Sequence, residues 1–107
     1  MGVREGYCLI MTACSSREEA EKLAASLVKN RLAACVQITG ITSFYEWKNK
    51  FTKDNETLLL IKAKAALYKE IEAFISRNHS YEVPEIIELP IRNGLGNFFN
   101  WIDEVSI

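Results

Sequence analysis

Charge excess is the first thing this 107-residue sequence lacks. Lys and Arg number 13 against 14 Asp and Glu, a formal net charge of −1 with the single His neutral. Binding to a phosphate backbone needs a concentrated basic surplus, so no nucleic-acid partner is expected. Long apolar runs are missing as well. Tyr7 to Met11 is far too short for a signal-peptide core or a membrane span, and no membrane partner is expected. The cysteines are three, Cys8, Cys14 and Cys35, an odd number at spacings that make no disulfide framework. That usage fits a reduced, cytoplasmic protein. No Ser-His-Asp or Cys-His order, no Gly-rich phosphate loop and no zinc-ligand spacing occurs, so the chain is not expected to be an enzyme. Linkers, low-complexity tracts and repeats are absent too. Residues 1–107 are read as one domain.

What is present is a globular pattern, 49% apolar and 25% charged. A domain of this size removes roughly two-thirds of the unfolded chain's surface from water, so oligomerisation is one route to further burial. Tyr7 to Thr12 predicts a first strand, buried on both faces. Ser15 and Ser16, each followed three residues later by Glu18 and Glu19, predict a capped helix start. Ala20, Leu23, Ala24, Leu27 and Val28 then form one apolar stripe, closed by Asn30 and Arg31. Ala33 to Lys48 reads as a long strand in which Gly40 permits a bend or bulge. Asn49 suits the positive φ of a hairpin turn, and the return strand runs from about Phe51 to Lys64. A second helix carries Leu67, Ile71, Phe74, Ile75 and Asn78 on one face. Ile86 to Ile91 is a fourth strand, with Pro90 suiting an edge, and Phe98 to Val105 a short terminal helix.

The order β-α-β-β-α-β predicts an α+β, ferredoxin-like antiparallel sheet with helices on one face, a long β-hairpin and a short C-terminal helix. The second face of such a sheet is normally polar. Here Leu58 and Leu60 oppose Leu59 and Ile61, and Leu9 and Met11 oppose Cys8 and Ile10. Both faces are apolar, so a second subunit is the expected cover.

Fold alone does not assign function. An RNA-recognition sheet needs stacking aromatics, and Glu56-Thr57-Leu58-Leu59-Leu60-Ile61 offers none. A copper-chaperone loop needs two thiolates. Cys14 occupies the right place, but Arg17 stands where the second would be. Cys14 is therefore either a lone metal ligand or a small polarizable residue at a strand end. His79 either packs at the end of the second helix or serves as a ligand helped by Glu82 and Glu85. Cys35, between small apolar residues, reads as a buried thiol. Lys62 ends the stripe of Leu58 and Leu60. It either snorkels to water or pairs with Glu56 or Glu85.

Several segments together resemble the CutA divalent-cation tolerance family. They are Leu32-Ala33-Ala34-Cys35-Val36, Gly40-Ile41-Thr42-Ser43-Phe44-Tyr45-Glu46-Trp47, Glu56 to Lys62, His79 to Ile86, Leu89-Pro90-Ile91 and Trp101-Ile102. The resemblance covers about residues 7 to 105. It implies a ferredoxin-like subunit in a tight homotrimer, linked to tolerance of copper or other divalent metals, with no required cofactor and no catalytic residue. The trimer also resembles that of the PII signalling proteins, which bind small effectors between subunits. The alternative is therefore a signalling or scaffolding trimer that takes a small effector or a protein partner.

Carried over by position, the family's cleft falls on Cys35, Tyr45, Trp47, Glu56, Lys62, Tyr81, Glu85 and Trp101. His79 also matches, and Cys14 with His79 is the expected metal pair. Three departures stand out. The family's His-Pro-Tyr reads His79-Ser80-Tyr81, its Trp-Glu-Gly-Lys turn reads Trp47-Lys48-Asn49-Lys50, and its Thr-Thr-Pro loop reads Ala13-Cys14-Ser15. Asn49 is able to take the Gly conformation, so the hairpin is expected to survive. The turn lysines argue against an acidic metal site at its tip.

Overall fold

The structure, a computed structural model, describes residues 6–107. Its elements are β1 (Tyr7–Cys14), α1 (Arg17–Lys29), β2 (Cys35–Trp47), β3 (Lys50–Lys64), α2 (Tyr68–Asn78, entered through a 3₁₀ turn at Ala65–Leu67), β4 (Ile87–Ile91) and α3 (Gly96–Val105). One antiparallel sheet runs in the order β2-β3-β1-β4. This is the expected ferredoxin-like arrangement, with Pro90 on an edge strand as anticipated. No helix among the described residues is long and apolar enough to cross a membrane.

Alternation along the strands sorts the core. Cys8, Ile10, Leu59, Ile61 and Ala63 are sealed against Leu23 and Leu27 of α1 and Ile71 and Ile75 of α2. The opposite face carries Leu9, Met11, Leu58 and Leu60, all half-buried. At one end of that face α3 docks, with Phe99 stacked on Tyr7 at a 4.3 Å centroid distance and the Tyr7 hydroxyl donating to Asp103 at 2.9 Å. Gly94 lets the chain pass beneath that ring, because a Cβ there would lie 2.6 Å from Phe99 Cζ. Beyond α3 the face stays open: Ile87 is 46% exposed and Leu89 42%.

The β2–β3 hairpin outruns the rest of the sheet. β1 pairs with β3 only as far as Thr57, whereas β2 pairs with it to Lys50. Residues beyond Thr57 form an arm, which raises the radius of gyration to 14.6 Å where a compact chain of this length has about 13 Å. Lys48 and Asn49 close the arm with φ of 51° and 66°, a two-residue turn whose twist matches the strands. The bulge that Gly40 would permit is not formed, since the register runs unbroken through its pairing with Thr57.

Side chains finish the helix ends. Ser16 caps α1, its hydroxyl accepting from the Glu19 N–H at 3.1 Å. Glu19 in turn accepts from the Ser15 N–H and hydroxyl at 3.3 and 3.0 Å and from the Ser80 N–H and hydroxyl at 2.9 and 3.1 Å. The other end of α1 closes with Arg31 at φ 59°, its N–H on Val28 and the Leu32 N–H on Leu27. That is a Schellman closure with arginine where glycine is usual. The Arg31 guanidinium reaches the carbonyls of Glu104, Val105 and Ser106 at the end of α3.

Glu19 is 18% exposed, and its desolvation is outweighed by hydrogen bonds from Ser80 and Ser15 that hold its carboxyl below the usual 4.5. A carboxyl whose folded value is depressed contributes stability that is complete above its unfolded value and disappears as pH falls through the folded one. Glu19→Gln is expected to cost about 1–3 kcal/mol at pH 7. The gap between parent and variant should close in strong acid. Thermal melts from neutral pH downward check this; a gap that persists unchanged in acid would mean the charge is not what holds Ser80.

Candidate functional site

Strand alternation brings Tyr45 and Trp47 of β2 to the same side of the arm as Glu56 of β3, since Ile41 lies opposite Glu56 and residues 41, 43, 45 and 47 share a face. The loop between α2 and β4 folds over them. Together they line a half-open cavity of about 450 Å³, bounded by Ala13, Tyr45, Trp47, Glu56 and the loop residues Ser80 to Val83 and Glu85. The Tyr81 hydroxyl donates to Glu56 Oε2 at 2.7 Å, and the Tyr45 hydroxyl donates to Asp54. Burial, followed by its bond to Glu56, pushes the Tyr81 phenol well above its ordinary value. The bond to Asp54, followed by burial, pushes Tyr45 up to about 12. Both phenols therefore stay protonated at neutral pH and act as donors to carboxylates. The site is aromatic and negative.

What holds the loop is His79. Its ring is sealed from solvent, with Nε2 2.9 Å from the Ala13 carbonyl and Nδ1 accepting the Tyr81 N–H at 3.1 Å. A carbonyl only accepts and an N–H only donates, so the hydrogen bonds assign the neutral imidazole with its proton on Nε2. Cys14 Sγ lies 4.0 Å from Nε2, and Glu19 Oε2 3.9 Å from Nδ1. One ligand atom each from Cys14, Glu19 and His79 falls within 4.8 Å of the others.

Sulfur, nitrogen and oxygen donors in one group suit copper, zinc or a similar ion. Three donors do not make a closed structural site. All three are also engaged elsewhere: the imidazole by Ala13 and Tyr81, the carboxylate by Ser15 and Ser80. Burial, then the charges of Glu19 and Glu56, push the Cys14 thiol up to about 11, so it holds its proton at neutral pH. The donor types fit a metal ion. Their present bonds would have to be displaced by it.

Of the residues expected in a cleft, the chain brings together Tyr45, Trp47, Glu56, Tyr81 and Glu85. Cys35 is half-buried on the same sheet face but farther along it, opposite Lys62 in the β2–β3 register. Lys62 donates to Gln37 and does not line the cavity, so the pairing with Glu56 or Glu85 is not made within the chain. Trp101 lies on α3 against Phe98, at the Tyr7 end of β1, whereas the cavity lies at the Ala13 end. Cys14 and His79 do meet. The carboxylate beside His79 is Glu19, however, while Glu82 and Glu85 line the cavity. Glu19 was legible as a capping residue, but nothing in its spacing announces a bond to Ser80, 61 positions away.

The family profile of the CutA1 divalent ion tolerance protein matches residues 8–105. Protein CutA, chloroplastic, of Arabidopsis thaliana is 41% identical over 95 residues, which make up 88% of this chain and 52% of that one. The divalent-cation tolerance protein CutA of Thermus thermophilus is 37% identical over 97 residues, 90% of this chain and 94% of that one. The chain thus spans about half the length of the plant and mammalian relatives it matches and nearly all of the bacterial one. The crystal structure of CutA1 from Oryza sativa superposes with a TM-score of 0.93 at 33% identity, covering 99% of this chain and 98% of that one. Motifs, sheet order and superposition converge, and the chain belongs to the CutA1 divalent ion tolerance family.

Proposed function

We propose that the chain acts as a homotrimeric divalent-cation tolerance protein that takes copper or another divalent ion weakly at Cys14, Glu19 and His79. The observation that carries this reading is the open sheet face with its projecting arm. Leu9, Met11, Leu58 and Leu60 lie beneath an incomplete cover, and Phe44 and Phe51 stand 62% and 77% exposed on the arm. From Lys50 to Glu56, β3 has a strand neighbour on one side only. Such an edge is a template for a strand of another copy, and a cyclic assembly satisfies every edge alike. In that assembly one subunit's Cys35, Lys62 and Trp101 would meet the arm of the next, completing the cleft that the family resemblance implies. Cys8, Cys14 and Cys35, all thiols rather than disulfides, support the cytoplasm as the compartment.

The cavity favours a second reading, a PII-like signalling or scaffolding trimer that recognises a small effector or a protein partner. A pocket of about 450 Å³ with convergent polar groups is of the size that holds a small molecule.

Light scattering at micromolar concentration is expected to give three times the chain's 12.2 kDa. A clean monomer would remove the trimer from both readings.

Titration with Cu(I), Cu(II) and Zn(II) is expected to show weak binding that Cys14→Ser reduces at least tenfold. A chelator should leave the melting temperature of the parent unchanged. If the chelator unfolds the protein, the ion is structural. If Cys14→Ser binds as the parent does, the thiol is not a ligand.

A further inference from the structure

The thiol cluster has one way out. Cys14 is fully buried and the His79 ring sealed, while the Glu19 side chain is 18% exposed. Glu19 and His79 do not line the aromatic cavity. They line a groove of about 560 Å³ between the start of α1 and the end of α2. Every residue along it belongs to α1, to α2 or to the segments 15–16 and 79–80 beside them, so it opens on the helix side of the sheet. The face left open for another subunit is the opposite one.

Cys14, Glu19 and His79 supply three donors, and a tetrahedral ion needs a fourth. No further His, Cys, Asp or Glu of the described residues joins them. An ion held by these three keeps a coordination position for a ligand from outside, and the exposed member of the cluster lines the groove. The groove is of a size to hold such a ligand. Leu23 and Phe74 give it apolar surface, and Lys22 and Arg77 bring one cation from each helix. Neither cation has an ion-pair partner among the described residues, and the Arg77 guanidinium lies 5.8 Å from the Phe74 ring centroid. Of the two carboxylates along the groove, Glu19 belongs to the ligand cluster and is held by Ser15 and Ser80. That leaves Glu18, in the first turn of α1, against two cations.

We propose that this groove receives the divalent ion together with a small carboxylate-bearing chelator. The ion passes to Cys14, Glu19 and His79, while the chelator keeps one coordination position and sets its free carboxylates against Lys22 and Arg77. The inference rests on the ion-binding reading of the thiol cluster and names the form in which the ion arrives. The exchange involves no redox step: the ion gives up water or chelator donors for three donors of the chain, and the Cys14 proton leaves to solvent. Charge-assisted hydrogen bonds to Lys and Arg favour a carboxylate. An uncharged chelator fills the open position without them.

Equilibrium dialysis of the full chain in its native oligomer against zinc decides it. Citrate, the uncharged chelator bipyridine, or neither is present, and bound zinc and bound chelator are read together. Citrate is expected to be retained at close to one per zinc ion, and at least tenfold less when zinc is left out. Bipyridine should be retained at least fivefold less than citrate. The double variant Lys22→Gln with Arg77→Gln should lower the ratio of citrate to zinc at least fivefold and melt as the parent does. Cys14→Ser should lower bound zinc and bound citrate together. Zinc stripped by citrate, citrate retained equally by metal-free protein, equal retention of bipyridine, or an unchanged ratio in the double variant would overturn the inference while zinc bound alone keeps the ion site standing. No zinc bound under any of these conditions would overturn both.

Discussion

Most of this structure depends on β3 being apolar on both sides while only one side is sealed by α1 and α2. Leu59 and Ile61 are fully buried, and each side chain of that kind contributes about 1.5–3 kcal/mol when removed from water. Leu58 and Leu60 cannot reach that core without a register slip, which would turn the sealed pair outward in exchange. They remain on the far face, where α3 reaches one end only. The arm, the exposed phenylalanines and the cavity all lie at the other end of the molecule. Fold stability and the surface available for assembly therefore come from one alternating pattern.

The second dependence is local. The loop from His79 to Ile86 has no regular hydrogen-bonded structure, so side chains answer for its backbone N–H groups. Glu19 takes the N–H of Ser80, and His79 takes that of Tyr81. Tyr81 then reaches across to Glu56 on β3. A carboxylate at the start of α1 is thus bonded directly to Ser80 in the wall of the cavity. His79 and Glu19 belong both to the thiol cluster and to the hydrogen bonds that hold the loop.

Much of the fold was legible because its signals are local. Asn49 marked the turn, Ser16 with Glu19 marked the start of α1, and the opposition of Leu58 to Leu59 marked a sheet with two apolar faces. Gly40 was only permissive: glycine allows a bulge without requiring one, and β2 keeps its ladder there. The cavity was half legible. Tyr45, Trp47 and Glu56 share a face by parity, which periodicity gives, and Tyr81 and Glu85 came with the family motif. Glu19 beside His79 was not legible, because that partner is set by how helix and loop meet in space, and Gln37 beside Lys62 is a diagonal pair that depends on the β2–β3 register. Pair distances across a fold are consequences of packing, and a single sequence does not display them.

Arg31 carries a consequence for the order of assembly. It holds the carbonyls of residues 104 to 106 with a side chain aimed by its own left-handed backbone, and that backbone exists only after α1 has ended and closed on Leu27 and Val28. The clasp on α3 thus joins segments more than 70 positions apart and cannot form until the first helix has been terminated. Contacts of such long sequence separation slow folding, since the intervening chain must be ordered before they are rewarded. The grip of the C-terminal helix thus depends on the closed end of α1, and the two are expected to be lost together on unfolding.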